Sequence, residues 1–231
     1  VLRITDARTG EPTELRRTLT RVHAHVTGAD TSALRVLLVA DVLARALELD
    51  GVPVLTVADP PPELQARATA LGIRPAAGTT APAAGRAALH VAAPGTAVPE
   101  DGVRITVAPA GNTAAGTSAD GPALRYALLA HPRAETAALG GDVADAARDT
   151  LARWRGAVAA WATRPSRPVP EAVLRELRSA WEDDLDMPAV LDVLRRVERV
   201  DDLPDGARFE TYAYADRLLG LELTRDVGAP A

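Results

Sequence analysis

The chain of 231 residues has 26 arginines but no lysine and no cysteine, and its formal net charge is −5. Those absences exclude a Schiff base, a Walker-type phosphate lysine, a thiol nucleophile, a disulfide framework and cysteine-ligated zinc. The acidic balance and the 3% aromatic content argue against nucleic-acid binding, and no apolar run reaches the roughly 18–20 residues that span a bilayer.

Val1 to Arg8 has no basic head followed by an apolar stretch, so a cytoplasmic protein is expected. Val22 to Val26 alternates and predicts a strand. In Thr31 to Leu49, apolar residues recur at Leu34, Leu37, Leu38, Val42 and Leu47, the spacing of one helical face. Val52 to Val57 follows the Asp50–Gly51 turn as a buried strand, and Pro62 to Leu71 is a short helix with proline in its first turn. Strand, helix, strand, helix is the order of a parallel sheet with helices on its faces. Pro75 to Ala88 reads as a loop, Leu89 to Ala92 and Val103 to Val107 as strands, and the Gly-rich Ala108 to Pro122 as a loop or linker.

Beyond this the pattern is helical. Helices are expected over Ala123–Ala130, Asp142–Ala162, Pro170–Trp181, Met187–Val200 and Phe209–Leu219. Val143, Ala147, Leu151, Trp154, Val158 and Trp161 share one face of the longest, and Arg164 to Pro168 ends it. The acidic turn Glu182 to Asp186 reads as a helix start, with Asp186 as cap and Pro188 in the first turn. The fold expected is α/β: a Rossmann-like parallel domain over residues 1–119, then a helical bundle over residues 120–231.

Several stretches carry a family resemblance. Ala123 to Leu129 (ALRYALL) resembles the "ALR-x-x-LL" helix that follows the catalytic core in cysteinyl-tRNA synthetases. It also resembles the same helix in their actinobacterial relative, the mycothiol-pathway ligase that joins cysteine to a glucosamine–inositol. Asp183 to Leu191 (DDLDMPAVL) resembles the family's "DDL-D/N-x-PAAL" motif, and Asp216 to Leu221 its closing "LLG-L". Leu151 to Arg155 (LARWR) and the Asp-Leu-Asp form of the acidic motif lean toward the ligase branch. In the N-terminal half, Leu2 to Arg16 resembles the opening strand and loop, and Asp41 to Leu47 with Gly51 to Asp59 the family's "FDVLRRYLE-x-x-GY-x-V-x-YV-x-N-x-TD" run. Gly111 and Asn112 resemble the "GN" after the second signature loop. The resemblance covers residues 2–59 and 104–222, and the middle is far shorter than the family's.

The resemblance implies ATP and zinc as cofactors, and it is here that the chain departs. The family's His-Ile/Leu-Gly-His loop falls on Asp30, Thr31, Ser32 and Ala33, and its Lys-Met-Ser-Lys-Ser loop on Ile105 to Pro109. Neither imidazole and neither lysine is present, and an aspartate at a helix N-terminus would repel phosphate. The first zinc cysteine would lie near His25 to Thr27, where there is none. GC-rich coding explains arginine in place of lysine, but neither lysine position holds arginine.

The site candidates are therefore residual. Thr27, Asp30, Ser32 and Asp59, with Gly111 and Asn112, are the candidate ligand-pocket residues; as ordinary features, Asp30 or Thr31 caps a helix and Asp59 starts a Pro-rich turn. His23 and His25 point to one face of the first strand and read either as a metal or phosphate site with Asp30 or, preferentially, as ordinary strand histidines. His90 and His131 show no partner pattern, although His131 stands where it could line a groove between the halves. Arg195, Arg196 and Arg199 alternate with Glu198 and Asp201 as a solvated face.

The expectation is a truncated, degenerate member of the cysteinyl-tRNA synthetase and mycothiol-ligase family. It would be a pseudoenzyme with no catalytic residues, no metal and no cofactor, acting as a binding or scaffolding module with a protein partner or a second copy. A tRNA-binding remnant is disfavoured by charge, and no membrane partner is expected. The alternative is an ATP-dependent ligase activating cysteine or another amino acid, with Arg35, Arg104 or Arg125 near the phosphates.

Overall fold

The computed structural model describes residues 1–15, 18–78, 87–111 and 121–229. A short hairpin comes first, β1 (Arg3–Thr5) paired antiparallel with β2 (Pro12–Glu14). The α/β unit follows as β3 (Thr20–His25), α1 (Thr31–Leu49), β4 (Val54–Val57), α2 (Pro62–Ala70), β5 (Ala87–Ala92) and β6 (Val103–Thr106). Five helices complete the chain: α3 (Gly121–Leu129), α4 (Gly141–Trp161), α5 (Glu171–Glu182), α6 (Met187–Arg199) and α7 (Asp205–Leu219).

The four main strands are parallel in the order β4-β3-β5-β6, which bears out the Rossmann-like expectation. β3 and β5 are neighbours although β4 lies between them in sequence, so the strand order reverses at their boundary. In open α/β sheets that is where ligands bind, beyond the carboxyl ends of the strands. The alternation of β3 sets its two faces: Val22 and Ala24 are buried with α1 packed on the sheet, while Arg21, His23 and His25 stand on the other face, half-buried.

α1 is apolar almost all round, which fits its place in the core. It contacts β3, β4 and β5, and also α2 and α7. Leu34, Leu38, Leu43 and Leu47 are at most 1% exposed, and each such leucine contributes about 1.5–3 kcal/mol. The helical region packs through an aromatic chain. Trp154 meets Tyr126 and Tyr212 edge-on at 5.7 and 5.5 Å, and Tyr212 meets Trp161 at 5.2 Å. The polar tips are satisfied inside: Tyr212 Oη donates to the Leu194 carbonyl at 2.9 Å and Trp154 Nε1 to Glu198 at 3.1 Å. Glu198 is therefore an internal acceptor, not part of a solvated face. Arg195 likewise reaches inward, to the Tyr126 hydroxyl at 2.7 Å.

Several local expectations shift, among them the strand expected buried over Val52 to Val57, which spans Val54–Val57 and is half-buried at its first three residues. The opening segment Leu2 to Arg16, expected as one strand and a loop, makes a hairpin, with Arg16 outside the described residues. β5 begins at Ala87, two residues before the apolar run, because its backbone pairs with β3 as far as Thr20. α7 begins at Asp205 rather than Phe209, since Pro204 supplies the extended residue before a first turn that needs no amide donor.

The acidic motif does more than start a helix. Asp186 caps α6 as expected, accepting from the Ala189 amide at 3.0 Å. Asp184 accepts from the Thr5 amide at 2.8 Å, bonds Arg133, and donates its own amide to the Arg3 carbonyl at 3.0 Å. The hairpin is thus docked on the turn between α5 and α6. Asp184 and Leu185 hold φ of 56° and 59°, a left-handed conformation costly for residues with a Cβ.

Candidate functional site

At the carboxyl ends of β3 and β5 lies a pocket of about 220 Å³, bordered by His25, Thr27, Asp59 and Thr96. That is smaller than the roughly 300–1,000 Å³ typical of small-molecule sites. Thr27 and Asp59, two of the candidates, meet here. Asp30 and Ser32 do not line it. Asp30 caps α1, its carboxylate accepting from the Ala33 amide at 2.8 Å. Ser32 Oγ accepts from the Ala110 amide at 3.1 Å. Gly111 donates to the Ala137 carbonyl at 2.7 Å, and Asn112 falls outside the described residues.

Arg35 fastens the same region. Only 1% exposed, its guanidinium donates to the carbonyls of Ala108, Pro109, Glu135, His131 and Pro132 at 2.6–3.3 Å. The bonds come from its two Nη groups, whose four N–H donors are shared among the five carbonyls. Burial lowers its pKa from the ordinary value. Arg67, from α2, holds the preceding turn through the Ala29 carbonyl and Thr31 Oγ1. Arg104 donates to the Thr96 carbonyl at 2.9 Å, at the pocket rim.

Farther along α1, Asp41 is 3% exposed and takes bonds from Arg45, Arg74 and Arg125, each at 2.9 Å. Burial alone would raise its pKa, but Arg125 and Arg45, with hydrogen bonds from Arg74 and Arg125, hold it below the usual carboxylate value. Arg125 also donates to the Leu219 and Leu71 carbonyls at 2.5 and 3.3 Å. Gly220 ends α7 at φ 60°, and a Cβ there would come within 2.9 Å of the Arg125 guanidinium, so the close approach requires glycine. Asp216 accepts from the amides of Leu221 and Leu223 at 2.7 and 2.9 Å, yet burial raises its pKa above the usual value.

The histidines come together in a way their spacing did not reveal. His90 on β5 is the register partner of His23, and its ring lies 5.2 Å from that of His23 and 5.1 Å from that of His25. His25 Nε2 and His90 Nδ1 share a hydrogen bond at 2.9 Å. Asp30, the third group in the metal or phosphate reading of His23 and His25, is engaged in its helix cap. Among the described residues, no three His, Cys, Asp or Glu side chains are arranged to hold a metal ion. His131 bonds the Ala127 carbonyl through Nδ1 at 2.9 Å and borders a crevice of about 20 Å³ between α1 and α3, beside Leu38, Val42 and Leu128.

No protein-family model matches the chain. It is similar, however, to three curated proteins, each named L-cysteine:1D-myo-inositol 2-amino-2-deoxy-alpha-D-glucopyranoside ligase. The identity is 36% over 108 residues with that of Streptomyces scabiei, covering 45% of this chain and 25% of the relative. It is 39% over 113 residues with that of Streptosporangium roseum, covering 49% and 22%, and 44% over 78 residues with that of Streptomyces griseus subsp. griseus, covering 33% and 18%. Over the matched stretch the chain is similar to these ligases. It spans a quarter or less of their length. Among the described residues no helix is long and apolar enough to cross a membrane.

In this ligase-like chain, residues 30–33 and 105–109, where the resemblance puts the two phosphate loops, are bridged through Arg35, just after the first, and Ala110, just after the second. Ser32 reaches Ala110, and Arg35 reaches Ala108 and Pro109. The arginines considered for phosphate are engaged in the same way, Arg35 and Arg104 on backbone carbonyls and Arg125 on Asp41 and two carbonyls.

Proposed function

We propose that the chain is a ligase-like module that neither adenylates nor transfers an amino acid, and that it acts by binding or scaffolding a protein partner or a second copy of itself. The observation that carries this reading is the closure between the loop segments. An adenylating site needs open space lined by cations at the N-terminus of the helix. Here the Asp30 carboxylate occupies that terminus, and Ser32 and Arg35 bridge directly to residues 108–110. The residues present do not fit the triphosphate of ATP, and with no cysteine in the chain they do not fit the zinc site that the resemblance implies.

The test is cysteine-dependent exchange of labelled pyrophosphate into ATP by the full chain. Exchange at the background rate is expected, and exchange above it overturns the reading. The rival reading, a ligase using arginine for lysine, rests on the relatives' name and would require Arg35, Arg104 or Arg125 to leave its present partners. Calorimetry with ATP and with an aminoacyl-adenylate analogue separates the two. Binding heat lost on Arg35→Met, in protein shown to be folded, would favour the ligase.

A further inference from the structure

We propose that His25 and His90 form a proton-operated latch on the strand-end pocket, closed while the two rings share a hydrogen bond and parted when both carry a proton. His90 belongs to β5 and His25 to β3, so their bond of 2.9 Å crosses the strand boundary where the pocket opens. His25 forms part of the pocket wall and is half-buried, whereas His90 is 3% exposed. When the pair parts, His25 is the ring with room to swing.

The protonation logic follows from imidazole chemistry. A neutral ring offers one donor and one acceptor. Asp101 Oδ1 lies 3.7 Å from His90 Nε2, and its charge favours the proton on that nitrogen. Nδ1 is then free to accept from His25 Nε2–H; this tautomer is assigned from the network. One added proton is tolerated, because a cationic ring can donate to a neutral neighbour. A second places two N–H donors face to face at hydrogen-bond distance, so the bond gives way to repulsion.

The surroundings act in the same direction. His23 adds a third ring, 6.1 Å from His25 and 5.2 Å from His90. Arg21 on β3 opposes protonation of His23, and Arg8 after β1 opposes that of His90. Arg104 on β6 is the register partner of His90, with its guanidinium on the Thr96 carbonyl. Asp101 is the carboxylate that favours the charged rings, and Asp59 stands at the pocket rim on the β4 side. All three histidines lie below the ordinary 6.5, through burial first; His23 and His25 are lowered further by His90. The sign follows: a base depressed in the folded state takes up protons more readily when unfolded. The three rings therefore contribute stability that is complete above about pH 6.5 and lost as pH falls toward their folded values.

The experiment is a heteronuclear NMR titration of the full chain from about pH 8 to 4.5, following the four imidazoles and the Thr27 and Thr96 amides. His25 and His90 are expected to titrate in two coupled steps with midpoints below 6.5. The Thr27 and Thr96 signals should shift with the second step. In His25→Gln, which cannot gain charge, the second step and those amide shifts should vanish, and the His90 midpoint should move up. Asp101 is exposed, so Asp101→Asn tests the same network without disturbing packing, and the His90 midpoint should move down. Independent single-step titration of His25 and His90, or amide shifts that persist unchanged in His25→Gln, would overturn the latch.

Discussion

At the seam below α1, Asp41 receives three guanidinium groups and is all but inaccessible. At the mouth above it, the pocket wall is a half-buried histidine with two threonines and an aspartate, and the helix terminus is filled by its own cap. The seam lies along α1 and the mouth at the strand ends before it, and the two use charge in opposite ways. The seam concentrates cations around a carboxylate and fastens α1 to α3, to the turn after α2 and to the end of α7. The mouth, where a phosphate would need cations, directs Arg35 and Arg104 onto carbonyls instead. The same residue type serves structure or ligand chemistry according to whether backbone acceptors have already taken its donors.

Substitutions test that contrast. Asp41→Ala should have the largest effect. It leaves the fully buried Arg125 without its counter-charge, and urea unfolding should show a loss of about 3–5 kcal/mol. Arg35→Met is expected to cost about 2–3 kcal/mol in the same assay, because it removes several charge-assisted bonds made by one buried guanidinium. If Arg35→Met cost as much as Asp41→Ala, the mouth would be as strongly fastened as the seam and the contrast would fail. Asp30→Ala should remove one cap bond and cost about 1 kcal/mol, read as a shift in the denaturation midpoint at unchanged slope. Thr96→Ala, at the pocket rim with its backbone carbonyl retained for Arg104, should stay within about 0.5 kcal/mol of the parent by thermal melting.

Much of the mouth's scaffold was legible in the chain. The 3.6-residue spacing of Leu34, Leu38 and Val42 marks α1, Asp186 is a cap by residue type and position, as is one of Asp30 and Thr31, and the alternation of β3 puts His23 and His25 on one face. Thr27 and Asp59 could be placed near each other because both follow strands of a parallel sheet. His90 could not be placed with them. Its position depends on β5 pairing with β3 in one register, and a shift of one residue would have turned it to the other face. The partners of Arg35 were equally hidden, since its carbonyls lie 73 to 100 residues away in two irregular loops. Around Asp41, only Arg45, four residues along the same helix, has a spacing that announces the pair.

What the sequence determined by itself is the inventory of elements and the chemistry the chain lacks, because periodicity, caps and the absence of lysine and cysteine are local or compositional facts. The tertiary structure decided which side chains meet: three histidines on one sheet face, three arginines on one aspartate, and Ser32 on Ala110 across the expected phosphate space. Those meetings follow from strand order and helix docking. Both are set by burying apolar surface over the whole chain rather than by any neighbour along it.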